Sequence, residues 1–243
     1  MKALIGLYLA SLLHAQPPVK IDYACPPEDI DSFGLACSAD EPCAVFLELT
    51  AIDSVGATVF LAGNLHTQSA TLRSILLSSE DGGKTWIEPF QRIRAAALEQ
   101  IQFSGFASGW VSGQIIEPLP RDPFLLLSTD GGKSWRERPV FEESRFGELA
   151  EFWFESPASG ELVIDHSEHG VVKHEVYQSQ TGGESWEIKE MTTQPVKLKG
   201  PPKEESAWRI RADAASKTYR LELRGAANWE SISTFAIHIA DCK

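Results

Sequence analysis

From Cys43 onward the apolar residues fall into short runs rich in Val, Ile, Leu, Phe and Trp, separated by Gly, Asp, Asn, Ser and Pro. Runs of this length and composition predict β-strands rather than helices. They group in fours. A first unit reads 44–50, 58–62, 72–78 and 86–93; a second reads 100–103, 109–113, 124–127 and 135–141. A third reads 150–155, 162–165, 171–177 and 186–191, and a fourth 196–199, 207–211, 218–223 and 229–239. Gly109 precedes Trp135 by 26 residues and Gly160 precedes Trp186 by the same 26, so the register repeats beyond any single turn.

The last strand of each unit follows a recurrent turn. Ser79-Glu-Asp-Gly-Gly-Lys-Thr-Trp86 returns as Ser128-Thr-Asp-Gly-Gly-Lys-Ser-Trp135 and, with Thr181 for Asp, as Ser179-Gln-Thr-Gly-Gly-Glu-Ser-Trp186. A fourth copy, Arg224-Gly-Ala-Ala-Asn-Trp229, keeps only Gly225 and the tryptophan. The tryptophan steps are 49, 51 and 43 residues, and a fixed period near 50 marks a repeat architecture. The paired glycines permit positive φ, and Asp81 or Asp130 can accept N–H groups of its own turn. The ring of each tryptophan then has a place between neighbouring units.

These residues resemble the Asp-box of sialidase-like, sortilin-type and photosystem assembly-factor-like β-propellers. The resemblance implies an all-β fold, a small propeller of about four four-stranded blades, four being the small end of the known range. It also implies a structural role for Ser79, Asp81, Gly83, Trp86, Ser128, Asp130, Gly132, Trp135, Ser179, Gly183 and Trp186. The fourth unit offers four strands of its own, so no strand exchange between the termini is expected.

Before the repeats, Met1-Lys2 and the apolar run Ala3–Leu13, followed by His14-Ala15-Gln16-Pro17, read as a signal peptide ending at residue 15. That run is too short to span a bilayer as a helix. The expected organisation is a signal peptide (1–15), a cysteine-containing segment (16–42) and the propeller (43–243), in a secreted or periplasmic protein. The formal charge is −12 with no basic run, which argues against nucleic acid and anionic membrane surfaces as partners; with no other long apolar stretch, no membrane insertion is expected. Cys25, Cys37, Cys43 and Cys242 suit an oxidising compartment, and no Cys-x-x-Cys pair suggests zinc. Three pairings are open. The favoured one joins Cys37 to Cys43 and Cys25 to Cys242, a bridge that would hold the ends of the ring together.

Candidate chemistry is sparse. No serine nucleophile elbow, phosphate loop or His-Glu-x-x-His sequence occurs. A sialidase would need three arginines, a Tyr–Glu pair and the motif Phe/Tyr-Arg-Ile-Pro, to which Phe90-Gln-Arg-Ile93 is only a scrambled approach. The densest ligand-like stretch is Asp165-His-Ser-Glu-His-Gly170 with His174-Glu175 beyond. A hairpin there would let His166 and His174 approach each other, with Glu168 and His169 at its tip. The proline-rich Glu117-Pro-Leu-Pro-Arg-Asp-Pro123 should project from the same face as this tip and 64–70. Candidate binding residues are therefore Glu117, Arg121, Asp122, His166 and His169; no catalytic residue, metal or cofactor is expected.

Phe103-Ser-Gly-Phe-Ala-Ser-Gly-Trp-Val-Ser-Gly113, leading into the second box, is most similar to the photosystem II stability/assembly factor-like family, where Gly-Trp-x-x-Gly precedes each box. That resemblance implies an exported, non-enzymatic binding or scaffold module presenting a loop face to a protein. A sialidase-like carbohydrate-active remnant and a metal-binding protein are the alternatives.

Overall fold

The computed structural model describes residues 17–35, 44–168, 170–198, 200 and 206–239; the side chains of residues 167 and 168 are not described. Its strands form four sheets of a small β-propeller. β2 (Phe46–Val55), β3 (Thr58–His66) and β4 (Thr71–Ser79) build the first blade as an antiparallel meander. β5 (Ala96–Ser104), β6 (Ser108–Ile116), β7 (Pro120–Ser128) and β8 (Arg136–Pro139) build the second. β9 (Glu148–Phe154), β10 (Gly160–Glu168), β11 (Val171–Ser179) and β12 (Glu187–Thr192) build the third. β13 (Trp208–Asp213), β14 (Thr218–Arg224) and β15 (Trp229–Ile239) follow in the fourth sheet.

The middle strands are buried on both faces, which is why β3 reads as a nearly continuous apolar run rather than an alternating one. The outer strand β8 is exposed along its whole length and is correspondingly polar. Three apolar clusters seal three junctions. Leu221 and Phe235 pack with Leu49, Leu61 and Leu77 between the fourth sheet and first blade. Phe60, Ala62, Val111, Leu126 and Trp135 fill the space between first and second. Trp110, Leu125, Phe152, Phe154, Leu162 and Tyr177 fill the space between second and third.

Each seal includes a polar cap on the next inner strand. Asn64 Oδ1 accepts the Leu98 N–H at 2.8 Å, and Gln114 Oε1 accepts the Leu149 N–H at 2.7 Å. The Tyr219 hydroxyl does the same for Leu49. Leu49, Leu98 and Leu149 each stand just before a bulge at the same point of their strands. Among the described residues, no apolar cluster, hydrogen bond or ion pair joins the third blade to the fourth sheet.

The fourth unit departs from expectation in three ways. Residues 196–198 do not pair with β13, which is the last strand of its sheet. They lie instead on the third blade, where the Leu198 N–H donates to Glu151 at 3.1 Å. This contact reproduces the one between the Phe152 N–H and Gln100, also 3.1 Å, one blade earlier. The inner strand of the unit has therefore parted from the rest of it. Second, the N-terminal β1 (Val19–Tyr23) pairs in parallel with β15, Val19 opposite Phe235 and Tyr23 opposite Ile239. A strand exchange thus does link the two ends of the chain. Ile21 and Tyr23 supply the buried side chains that reward it. Third, Trp229 does not pack between units; its ring carries the Arg209 and Arg224 guanidinium groups at 4.1 and 5.1 Å.

Two smaller differences complete the description. The last strand expected at 86–93 is reduced to one bridge between Ser78 and Ile87. A short helix, α1 (Pro27–Phe33), sits beside the first blade, where Asp29 takes the Tyr23 hydroxyl at 2.9 Å and the Arg73 guanidinium at 2.8 Å. Cys25 is disulfide-bonded; the expected signal peptide, Cys37, Cys43 and Cys242 lie outside the described residues.

Candidate functional site

The two ends of the assembly are chemically unlike. At one end lie the box turns, the second and third each against the hairpin turn of its own blade: Gly131 N–H donates to Ala107 O and Gly182 N–H to Ala158 O, both at 2.8 Å. Asp81 Oδ1 accepts the Lys84 and Thr85 N–H groups at 2.9 Å, and Oδ2 accepts the Thr85 hydroxyl at 2.7 Å. The Thr85 bonds hold its carboxyl far below the usual carboxylate range. Asp130 repeats the arrangement with Ser134, whose bonds draw its pKa down to about 2. Trp86 and Trp135 donate their indole N–H to Gly83 O and Gly132 O at 2.9 and 3.0 Å. In the third box the Thr181 hydroxyl replaces the carboxylate, accepting the Ser185 N–H at 3.0 Å, and the Trp186 indole nitrogen has no partner. Apart from the Trp186 nitrogen, these groups are occupied by their own turns.

The opposite end carries the β3–β4, β6–β7 and β10–β11 turns together with the connections between blades. The sequence-predicted Glu117, Arg121, Asp122 and His166 all belong to it; His169 lies outside the described residues. Glu117 precedes Pro118 through a cis peptide in the β6–β7 turn. Asp122, in the left-handed region at φ 50°, accepts the Arg145 N–H at 2.9 Å and contacts Arg121 at 3.4 Å. Those bonds tie the turn to the connection leading into the third blade.

His166 and His174 do not converge as the hairpin reading expected. Asp165 is opposite His174 and His166 opposite Lys173, so the two imidazoles point to opposite faces of the sheet. His174 Nδ1 instead meets Asp165 at 2.5 Å, and His166 Nδ1 stands 3.6 Å from Glu175. No cluster of three metal-ligating residues occurs among the described residues.

A cluster that sequence reasoning missed lies at the second–third junction. Arg145 grips buried Glu175 through Nη2, at 3.0 and 2.8 Å from its two oxygens, and gives Nη1 to the Tyr177 hydroxyl at 2.9 Å. The Tyr177 hydroxyl donates to Glu175 at 2.7 Å, and Arg145 lies over the Phe141 ring at 4.5 Å. Burial first, then the Glu175 carboxylate, pushes the Tyr177 phenol up to about 12. A phenol so held stays protonated, and Glu175 has both oxygens engaged. Chemically the cluster is a closed ion-pair network across a blade junction. Its one sequence signal was the i, i+2 placement of Glu175 and Tyr177, which puts both on one sheet face; Arg145, on a remote connection, gave none.

The surface at this end is apolar in places. Leu119, Phe146, Val171, Val172 and Met191 are each about half exposed or more, from 49% to 62%. All five cap the second and third blades, and Phe146 is bridged to Arg121. A shallow cleft of about 420 Å³ beside Met191 is lined by Lys173, Thr192 and Thr193.

No family model matches the chain, and no curated protein matches it by sequence. Solved structures do. It is similar to YCF48 bound to a D1 peptide, at 17% identity and a TM-score of 0.44, over 78% of this chain and 55% of that one. It is similar to a polysaccharide lyase, PL25-ulvanlyase, at 9% identity and a TM-score of 0.43, over 61% and 42% of the two chains. A Penicillium chrysogenum α-L-arabinanase complexed with arabinobiose matches at 12% identity and a TM-score of 0.41, over 80% and 63%. The likeness is one of fold. The chain spans about half the length of the first of these structures.

Proposed function

We propose that this chain is an exported, non-enzymatic binding or scaffold module that receives a protein partner on the end formed by Glu117–Pro123, Phe146 and the β10–β11 turn. The observation that carries this reading is the gathering of five large exposed apolar side chains there, with Arg121 and Lys173 among them. Single exposed apolar residues are ordinary, whereas a group on one rigid face marks an interaction surface. Export rests on the N-terminal apolar run, and Cys25–Cys242 with Cys37–Cys43 is the disulfide pairing that goes with it.

A photo-crosslinking amino acid placed at Leu119 should capture a discrete protein in the native host. The same residue at Phe106, which is 82% exposed at the opposite end, should capture none. Equal labelling from both sites, or none from Leu119, would overturn the assignment.

The Tyr177–Glu175–Arg145 cluster is the observation favouring a sialidase-like remnant. Turnover of an aryl sialoside that disappears in Tyr177→Phe would establish that reading instead. An inactive wild type would exclude it for that substrate.

A further inference from the structure

At the sealed junctions, a blade presents apolar side chains toward the blade before it: Val111 and Leu126 from the second, Leu162 and Tyr177 from the third. The fourth sheet has cations in that place. Trp208 and Ile210 pack toward the first blade, so strand alternation turns Arg209 and Arg211 the other way. Arg211 stands directly opposite Arg220 on β14, an arrangement that is unfavourable without anions nearby. Glu222 neutralises Arg209, and Asp213 lies 3.7 Å from Arg220, whose buried Nε has no hydrogen-bond partner.

The third blade has the complementary surplus. Its face away from the second blade places Glu151 beside Val163, Trp153 beside Glu161, and Glu190 beside Val176. Residues 196–198 and 200 cover only part of it. They leave a cavity of about 430 Å³ lined by Trp153, Glu155, Glu161, Glu190 and Lys189. Lys189, paired with Glu161, and Lys197 are the two cations in that lining, against the carboxylates of Glu155, Glu161 and Glu190 there and Glu151 beside them.

We infer that a second copy of this chain occupies these surfaces: the acidic third-blade face of each protomer seats on the arginine face of its partner's fourth sheet. The contact continues the blade-on-blade packing already present three times within the chain, in the same direction. Made twice about a twofold axis, each protomer giving one face and receiving the other, the two contacts form one isologous interface and close as a dimer. The paired faces carry opposite charge, which fixes their orientation and excludes the two like-charged pairings. This interface is separate from the partner-binding end proposed above.

Sedimentation of the wild-type chain at micromolar concentration should give twice the chain mass, falling to one as salt is raised. Glu190→Arg and Arg211→Glu, both at exposed positions, should each weaken association about tenfold or more while circular dichroism stays that of the wild type. Mixing the two variants should restore the dimer, because a heterodimer then has one native contact and one with its charges exchanged. A wild type that remains monomeric would overturn the inference. So would reversals that leave the dimer intact, or a mixture that associates no better than either variant alone.

Discussion

The second–third and third–fourth junctions are built from the same repeat and end differently. At the first, Trp110 stacks on Phe154 with centroids 3.9 Å apart, and Gln100, Gln102 and Gln114 cap amides of β9. At the second, Glu151 caps only Leu198, Trp153 lies against Gly200, and the rest of the unit belongs to the fourth sheet. A box tryptophan packs at each sealed junction, Trp86, Trp135 and Trp186 in turn, whereas Trp229 carries two guanidinium groups instead. Sealing needs apolar middle strands facing each other, plus polar side chains that take up the free amides of the next inner strand. The fourth unit, its box reduced to Gly225 and Trp229, lost the apolar middle strand on this side and retains a single cap, from Glu151 to Leu198.

The largest effect should come from the sealed side. Trp110→Ala removes a ring that is 2% exposed and the bond from its indole nitrogen to Gly182 O, at 2.9 Å. A loss of about 3–5 kcal/mol is expected by denaturant titration; a cost below about 1 kcal/mol would mean the junction is not held by this stack. Next in size, Ile21→Ala on β1 should cost about 2–4 kcal/mol, since Ile21 is buried against the core that the fourth sheet shares with the first blade. An unchanged midpoint would show that the exchanged strand contributes nothing and that closure lies elsewhere.

Gln102→Ala sharpens the contrast further. It strips partners from both Phe154 N–H, at 2.8 Å, and Phe154 O, at 2.7 Å, and should cost about 1–3 kcal/mol. Glu161→Gln at the unsealed junction should change stability by less than about 0.5 kcal/mol. The smallest effect is a pH dependence. Asp130 is depressed from 3.8 to about 2, so its box contributes stability that is present above its ordinary pKa and lost as pH falls through about 2. Denaturation midpoints measured across that window should fall less in Asp130→Asn than in the wild type. The third box, with Thr181, should add nothing to the slope.

Legibility followed locality. Box, turns and most strands of the first three blades are encoded within ten residues of themselves, and the period of the tryptophans exposes them. β1 carries no such signal: Val-Lys-Ile-Asp-Tyr is short, and its partner β15 lies at the other end of the chain. The His166–His174 pairing failed by one residue of register, because the β10–β11 turn sets Asp165 rather than His166 opposite His174. Such a slip exchanges faces along a whole strand. The exposed apolar group at the partner-binding end was equally unreadable, since Leu119, Phe146 and Met191 come from three separate segments that only the fold assembles.

Hydrogen exchange on the chain in dilute solution discriminates most directly between sealed and unsealed junctions. The amides of Leu49, Leu98 and Leu149, capped by Tyr219, Asn64 and Gln114, should exchange slowly. Those on the open edge of β13 should exchange much faster, with no acceptor from the third blade. Equal protection of β13, β5 and β9 would contradict this, and would mean that the third blade and fourth sheet close on one another as the other three junctions do.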